Sequence, residues 1–204
     1  MNNHTSSYCY PGTDVLINLF DIKDPKDLEL MEVAYTARRL LTLQNGPVKG
    51  AFDLEHLQAI HRYIFRDIFP FAGEIRTENI GKGTFSFANA RFIVPEANRI
   101  FKELKEENYL DGLLRTDFAK RAAYYMAEIN VLHPFREGNG RAQREFIRCM
   151  AGRSGYRLDW NLVDNETKMT ASVQSKTKID ELASVIGNCI QNELPDDRFA
   201  QTFL

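Results

Sequence analysis

The chain has 204 residues, 44% of them apolar, and at this length a fold buries roughly 70% of its extended surface, so neither disulfides nor a structural metal is needed for a core. With 26 Lys plus Arg against 28 Asp plus Glu, the formal net charge of −2 gives no broad attraction to a phosphate backbone or an anionic bilayer, which disfavours direct nucleic-acid binding. Cys9, Cys149 and Cys189 are scattered and odd in number, no basic run leads into an apolar segment at the start, and no stretch reaches the roughly 18 apolar residues of a membrane span. The expected setting is the cytoplasm, with reduced thiols and no membrane.

No repeat or low-complexity linker divides the sequence, so residues 1–204 are expected to form one domain. After the turn-like Tyr10-Pro11-Gly12, Thr13 to Phe20 reads as a short helix. Asp24-Pro25 pairs an N-cap residue with a proline at the first helical position, and a helix is predicted from Pro25 to about Gln44, stopped by Asn45-Gly46-Pro47. Asp53 caps a second helix, in which Leu54, Leu57, Ile60, Ile64 and Ile68 recur at three- and four-residue spacings and form one buried face. Between Gly73 and Pro95 the texture becomes β-branched and aromatic around Gly81, Gly83 and Asn89, predicting a β-hairpin flap over about residues 80–92. Helical texture returns at Pro95 to about Tyr109, Asp117 to Leu132, Arg141 to about Arg153, and Asp164 to about Glu193 with an interruption. The fold class is all-α, a helical bundle carrying one hairpin.

The chemistry concentrates in His133 to Arg144, HPFREGNGRAQR. Pro134 disfavours helical geometry at His133, so the preceding helix ends there and the imidazole stands at a helix terminus facing a cleft. Phe135 is the inward anchor. Gly138, Asn139 and Gly140 allow positive φ and close backbone approach, so their N–H groups converge on an anion ahead of a helix N-terminus. Arg141, Arg144 and Arg148 share one side of the following helix, while Ala142, Phe146, Cys149 and Met150 share the other, so packing turns the arginines outward. Arg141 and Arg144 suit the far phosphates of a triphosphate, and Arg148 stands too far along. Glu137 is placed to hold Mg²⁺, which takes one or two carboxylates together with waters and bridging phosphates. A histidine before a proline, or a glycine turn, is commonplace alone; base, carboxylate, anion nest and paired arginines within one short segment specify a phosphate-handling site. Arg136 reads as an exposed loop charge, and His56 and His61, five apart, as packing or surface imidazoles and not a zinc pair.

This segment resembles the signature of the Fic family, HxFx(D/E)GNGRxxR, with no departure at any defined position. The similarity extends to YPGTDVLINLF near the start and FAGEIRTENIGKG before the flap, covering roughly residues 8–193. The resemblance implies a Fic fold that transfers AMP from ATP to a hydroxyl side chain of another protein and releases pyrophosphate. On that reading His133 is the base that deprotonates the attacking Tyr, Ser or Thr. Glu137 holds the metal, Gly138, Asn139 and Gly140 bind phosphates through backbone and amide groups, and Arg141 and Arg144 take the β and γ groups. A hydroxyl is a poor nucleophile at neutral pH, and a positioned base contributes typically 10²- to 10⁴-fold.

The resemblance further implies that the hairpin edge accepts an extended segment of the target protein, and that Lys82 and Gly83 border the nucleotide. Many Fic proteins carry an inhibitory helix, (S/T)xxxE(G/N). Here the Glu residues followed by Gly or Asn are Glu78, Glu107 and Glu137, and four positions earlier stand Glu74, Glu103 and His133, none of them Ser or Thr. The chain therefore resembles the class in which a separate small antitoxin supplies the helix, placing a carboxylate against Arg144; type II topoisomerase ATPase subunits are the target class this implies. Other functions stay open: phosphotransfer, against which Gly140 argues because Doc-type members have Lys there; use of another nucleotide donor such as UTP; and a non-catalytic nucleotide-binding module, against which His133 and Glu137 argue.

Overall fold

A computed structural model describes residues 6–83, 85–175 and 178–203 and, for Lys82, the backbone alone. Among these residues the elements are α1 (Pro25–Asn45), α2 (Leu54–Phe65), β1 (Gly81–Lys82), β2 (Phe85–Ser86), α3 (Ile93–Glu106), α4 (Arg115–Leu132), α5 (Asn139–Arg153), α6 (Asn165–Gln174), α7 (Asp180–Cys189) and α8 (Asp197–Ala200). Helix α4 packs against α3, α5 and α7, and α2 lies between α1 and α5. Leu57, Ile60, Ile64, Ile68, Phe118, Phe146 and Ile186 lie within one buried apolar cluster, so the all-α bundle expected from periodicity is the architecture observed. Ile68 belongs to the α2 stripe by burial but sits in the turn after the helix.

Helices α1 and α2 start at side-chain caps. The Asp24 carboxylate accepts from the N–H groups of Lys26 and Asp27, and the Asp53 carboxylate from that of His56 at 2.8 Å. Helix α3 begins two residues before Pro95, which the first turn tolerates because a backbone N–H there would have no intrahelical partner to lose. It stops at Glu106 because Asn108, Tyr109 and Leu110 take successive positive φ values of 51°, 55° and 67°, with Leu110 buried.

Three local expectations are corrected. Thr13 to Phe20 is not helical. Gly12, at φ +76°, reverses the chain, Cys9 and Leu16 form an antiparallel bridge, and the Asn18 side chain bonds the backbone of Leu16, Phe20 and Ile22. Those bonds offer the backbone an alternative to a helical ladder. The hairpin is shorter than 80–92: Gly81 pairs with Ser86 and Lys82 with Phe85, and Asn89 then caps a 3₁₀ turn over Ala90–Phe92. Helix α8, whose first N–H groups bond the Asp196 carboxylate, was not anticipated.

Replacing Asp53 with Ala removes the α2 cap and is expected to lower unfolding stability by about 1 kcal/mol, read as a reduced urea midpoint with unchanged m-value.

Candidate active site

Helices α4 and α5 meet in a six-residue turn, residues 133–138. The N–H of His133 still bonds Ile129 O at 2.9 Å, but its backbone is left-handed, φ 48° and ψ 63°, out of the right-handed helical region that the following proline disfavours. The His133 ring is half-buried. Its Nδ1 lies 3.3 Å from Asn130 O. A carbonyl only accepts, so Nδ1 carries the proton and Nε2 keeps the lone pair of the neutral ring.

The next residues lock the turn. Phe135 is 1% exposed and stacks on His61 with ring centroids 3.9 Å apart. The Asn139 carboxamide accepts from Phe135 N–H at 2.9 Å and donates to Phe135 O at 2.7 Å. These two bonds use its carboxamide oxygen and one of its two amide hydrogens to close the loop. Gly138 sits at φ +76°, and an added Cβ would fall 2.1 Å from the Phe65 ring, so glycine is required for both conformation and space.

The anion cradle is accordingly smaller than three residues' worth of donors. Gly138 N–H is taken at 2.8 Å by the carboxylate of Glu137. The N–H groups of Asn139 and Gly140, at the start of α5, have no acceptor among the described residues, as expected of a first helical turn. They are the amides left for an oxyanion.

The two signature arginines occupy different surroundings. Arg141 donates to Glu32 of α1 and, at 3.3 Å, to Thr36 Oγ1, lies 4.8 Å above the Phe65 ring, and stands 3.7 Å from Glu137. Burial raises the Glu32 pKa above the usual carboxylate value, with Arg141 opposing the shift. No acceptor among the described residues takes a hydrogen bond from the Arg144 guanidinium, whose pKa is lowered by burial and then by the adjacent Arg141 charge. Arg144 lies against Gly140, with Nη1 3.3 Å from where a Cβ would stand, and lines a cavity of about 500 Å³ shared with Leu40, Arg141, Trp160, Asn165 and Lys168. Arg148 is occupied by Glu145 and Leu43 O, consistent with standing beyond the phosphates.

Gly83 is an exposed turn residue at φ +61°. The nucleotide contact expected of Lys82 concerns a side chain outside those described. Arg136 is not an exposed loop charge: it is half-buried, its Nε has no partner, and Nη2 reaches Cys9 Sγ at 3.8 Å.

Several supporting residues escaped the sequence reading. His61 accepts from Gly73 N–H at Nδ1 and donates from Nε2 to Glu137 O, both at 2.8 Å, joining the FAGE segment to the signature turn. Arg76, 1% exposed, donates to His133 O, Leu132 O, Glu78 O and Ala88 O. The Phe87 ring stacks on His133, and Trp160 Nε1 donates to Arg144 O at 2.9 Å. The FAGEIR stretch was the available signal for Arg76; nothing local marks Glu32 or Phe87, whose partners lie far away in sequence.

Residues 51–151 match the model of the Fic/DOC family. The chain is 42% identical over 160 residues to a probable protein adenylyltransferase Fic of Escherichia coli, covering 78% of each, and 40% identical over 179 residues to the protein adenylyltransferase VbhT of Bartonella schoenbuchensis. The latter match takes in 88% of this chain but only 37% of VbhT. The structure of BepC, a Bartonella tribocorum effector with bound AMPPNP, superposes with a TM-score of 0.85 at 25% identity, over 93% of this chain and 97% of BepC. An ADP-bound Fic domain from Bartonella quintana gives 0.84 at 26% identity, over 95% and 97%. The chain belongs to the Fic/DOC family.

Burial depresses the His61 pKa from 6.5 to about 4. Between those values the unfolded chain binds a proton that the folded chain refuses, so the stability His61 confers is complete above pH 6.5 and is lost as pH falls toward 4, by about 3 kcal/mol. His56, also depressed by burial, acts in the same direction. Urea titrations from pH 7 to 4 are expected to show this loss in the wild type and a shallower loss in His61→Phe; parallel curves would remove His61 from the account.

Proposed function

We propose that this chain is a protein adenylyltransferase that moves AMP from ATP to a Tyr, Ser or Thr hydroxyl of a second protein. The observation that carries this reading is a half-buried Arg144 with no acceptor of its own among the described residues, set one turn beyond two unpartnered amides in the helix that follows His133. A buried cation lacking a counter-charge is costly unless an anion completes it, and the outer phosphate of a triphosphate is such an anion.

In the reaction, the target oxygen attacks the α-phosphorus while His133 Nε2 takes its proton. The bond from that phosphorus to the bridging oxygen breaks, and the electron pair leaves with pyrophosphate. Asn139 and Gly140 N–H groups hold a phosphate oxygen, and Arg144 neutralises charge on the leaving pyrophosphate. Arg141 spends two of its five donor hydrogens on Glu32 and Thr36, which leaves three that a phosphate could take. Glu137 is the carboxylate that would hold Mg²⁺ beside the phosphates. Such an ion supplies neutralisation of phosphate charge. Gly140 supports AMP transfer over phosphotransfer because Doc-type members carry a lysine at that position.

The target lies along the hairpin, whose two short strands leave an edge for an extended segment. Type II topoisomerase ATPase subunits are the first targets to try. The control partner is a small antitoxin whose helix sets a carboxylate against Arg144, consistent with the lack of a carboxylate partner for that residue among those described. Three free, buried cysteines suit the reducing cytoplasm, and no described helix is long and apolar enough to cross a membrane.

With ATP labelled at the α or the γ phosphate, label is expected in the target only from the α position, by autoradiography and by the mass of added AMP. His133→Ala is expected to lose at least about 10²-fold in rate. Arg144→Ala is expected to raise KM for ATP, read from initial rates across ATP concentration, with a lower Kd change for ADP than for ATP. Label from the γ position would replace AMP transfer with phosphotransfer.

A further inference from the structure

We infer that Phe87, carried by the return limb of the hairpin, is the positioning residue of the His133 imidazole. This rests on the reading of His133 as the base. The two rings stack with centroids 3.7 Å apart and an interplanar angle of 18°, and the edge of Phe85 meets Phe87 at 5.3 Å. His133 stands at a left-handed helix end, where its Nδ1 lies 3.3 Å from Asn130 O. A hydrogen bond of that length is weak and holds the ring loosely. The flat Phe87 face packed against one side of the imidazole restricts its rotation and keeps Nε2 directed along one line.

The face itself is held in place by the core. Two strands of two residues each are too short to fix a hairpin by pairing alone. The limb is fastened instead by Phe87 N–H to Ile80 O at 3.2 Å, Ala88 N–H to Val131 O at 3.1 Å, and the Arg76 guanidinium, which bonds Ala88 O at 2.5 Å and His133 O at 2.8 Å. Arg76 has no carboxylate partner among the described residues, and its pKa is lowered by burial, so its charge is satisfied by carbonyls alone. One buried cation thus ties the residue beside Phe87 to the backbone of the base, and flap and imidazole form a single unit. The Phe87 face also has the right electrostatics for the step. Its negative quadrupole attracts the imidazolium that forms when Nε2 accepts the hydroxyl proton.

The test compares Phe87→Ala and Phe87→Tyr in the full chain. Phe87→Ala is expected to lower kcat for AMP transfer by roughly 10- to 100-fold while the Kd for ATP moves less than about 3-fold, since a misaligned reacting group costs about that much without touching the phosphate cradle. Phe87→Tyr keeps the face and is expected to stay within about 3-fold of wild type. A readout that needs no turnover runs alongside: in carbon–proton NMR spectra the His133 ring signals, assigned by their loss in His133→Ala, are expected to carry the ring-current shift of a stacked neighbour in wild type and Phe87→Tyr and to lose it in Phe87→Ala. Ring signals unmoved by Phe87→Ala, or a Phe87→Ala enzyme within 3-fold of wild-type kcat, or ATP affinity falling in step with rate, would overturn the assignment. If wild type transfers no AMP while the NMR shift behaves as expected, the failure lies in the adenylyltransferase reading and the clamp stands.

Discussion

The site depends on the closure of one short turn. A chain leaving α4 must reverse into α5 within six residues, and the Asn139 carboxamide makes this possible by bonding both backbone groups of the buried Phe135. Without that closure the two polar groups of Phe135 would be buried unpaired, a cost of several kcal/mol each in an apolar medium. With it, the first amides of α5 stand without an acceptor among the described residues at a defined place, and His133 and those amides acquire a fixed separation. Gly138 completes the turn by allowing Phe65 to press where a side chain would otherwise stand.

Around that turn the fold buries polar groups that most cores exclude, and each is satisfied by backbone. His61 spans Gly73 N–H and Glu137 O in a single neutral tautomer, and Arg76 gathers four carbonyls from three segments. Backbone partners suit this task because their positions are set by helices already packed in the core. The cost is sensitivity to protonation and to truncation, since removing one partner strands the other in a low-dielectric interior. His61 lends the signature turn a stability that depends on pH; Arg76 lends the flap a rigidity its own strands lack.

The arginines divide their labour through their neighbours. Arg141 and Arg144, three residues apart on one helix, begin with the same chemistry, but α1 brings Glu32 and Thr36 to the first and nothing acidic among the described residues to the second. The paired arginine braces α1 against α5 and orders the site before any ligand arrives. The unpaired one retains unmet demand for negative charge, which an incoming phosphate and a competing carboxylate can both meet. Under the proposed function, an outer phosphate and an antitoxin carboxylate would compete for this one guanidinium.

What the sequence by itself determined was local. Caps at Asp24 and Asp53, the stripe of α2, the stop at Pro134 and the HPFREGNGRAQR segment each depend on residues within one or two turns of one another, and steric and hydrogen-bond rules at that range are the same in any fold. The short N-terminal helix failed where Asn18 found nearby backbone partners, and the flap shrank where Asn89 capped a 3₁₀ turn. Only the tertiary structure decided that Glu32 reaches Arg141 across 109 residues, that Arg76 meets His133 across 57, and that Phe87 covers the imidazole. Contacts between distant residues depend on how whole helices pack, and packing is a property of the assembled core that no single segment encodes.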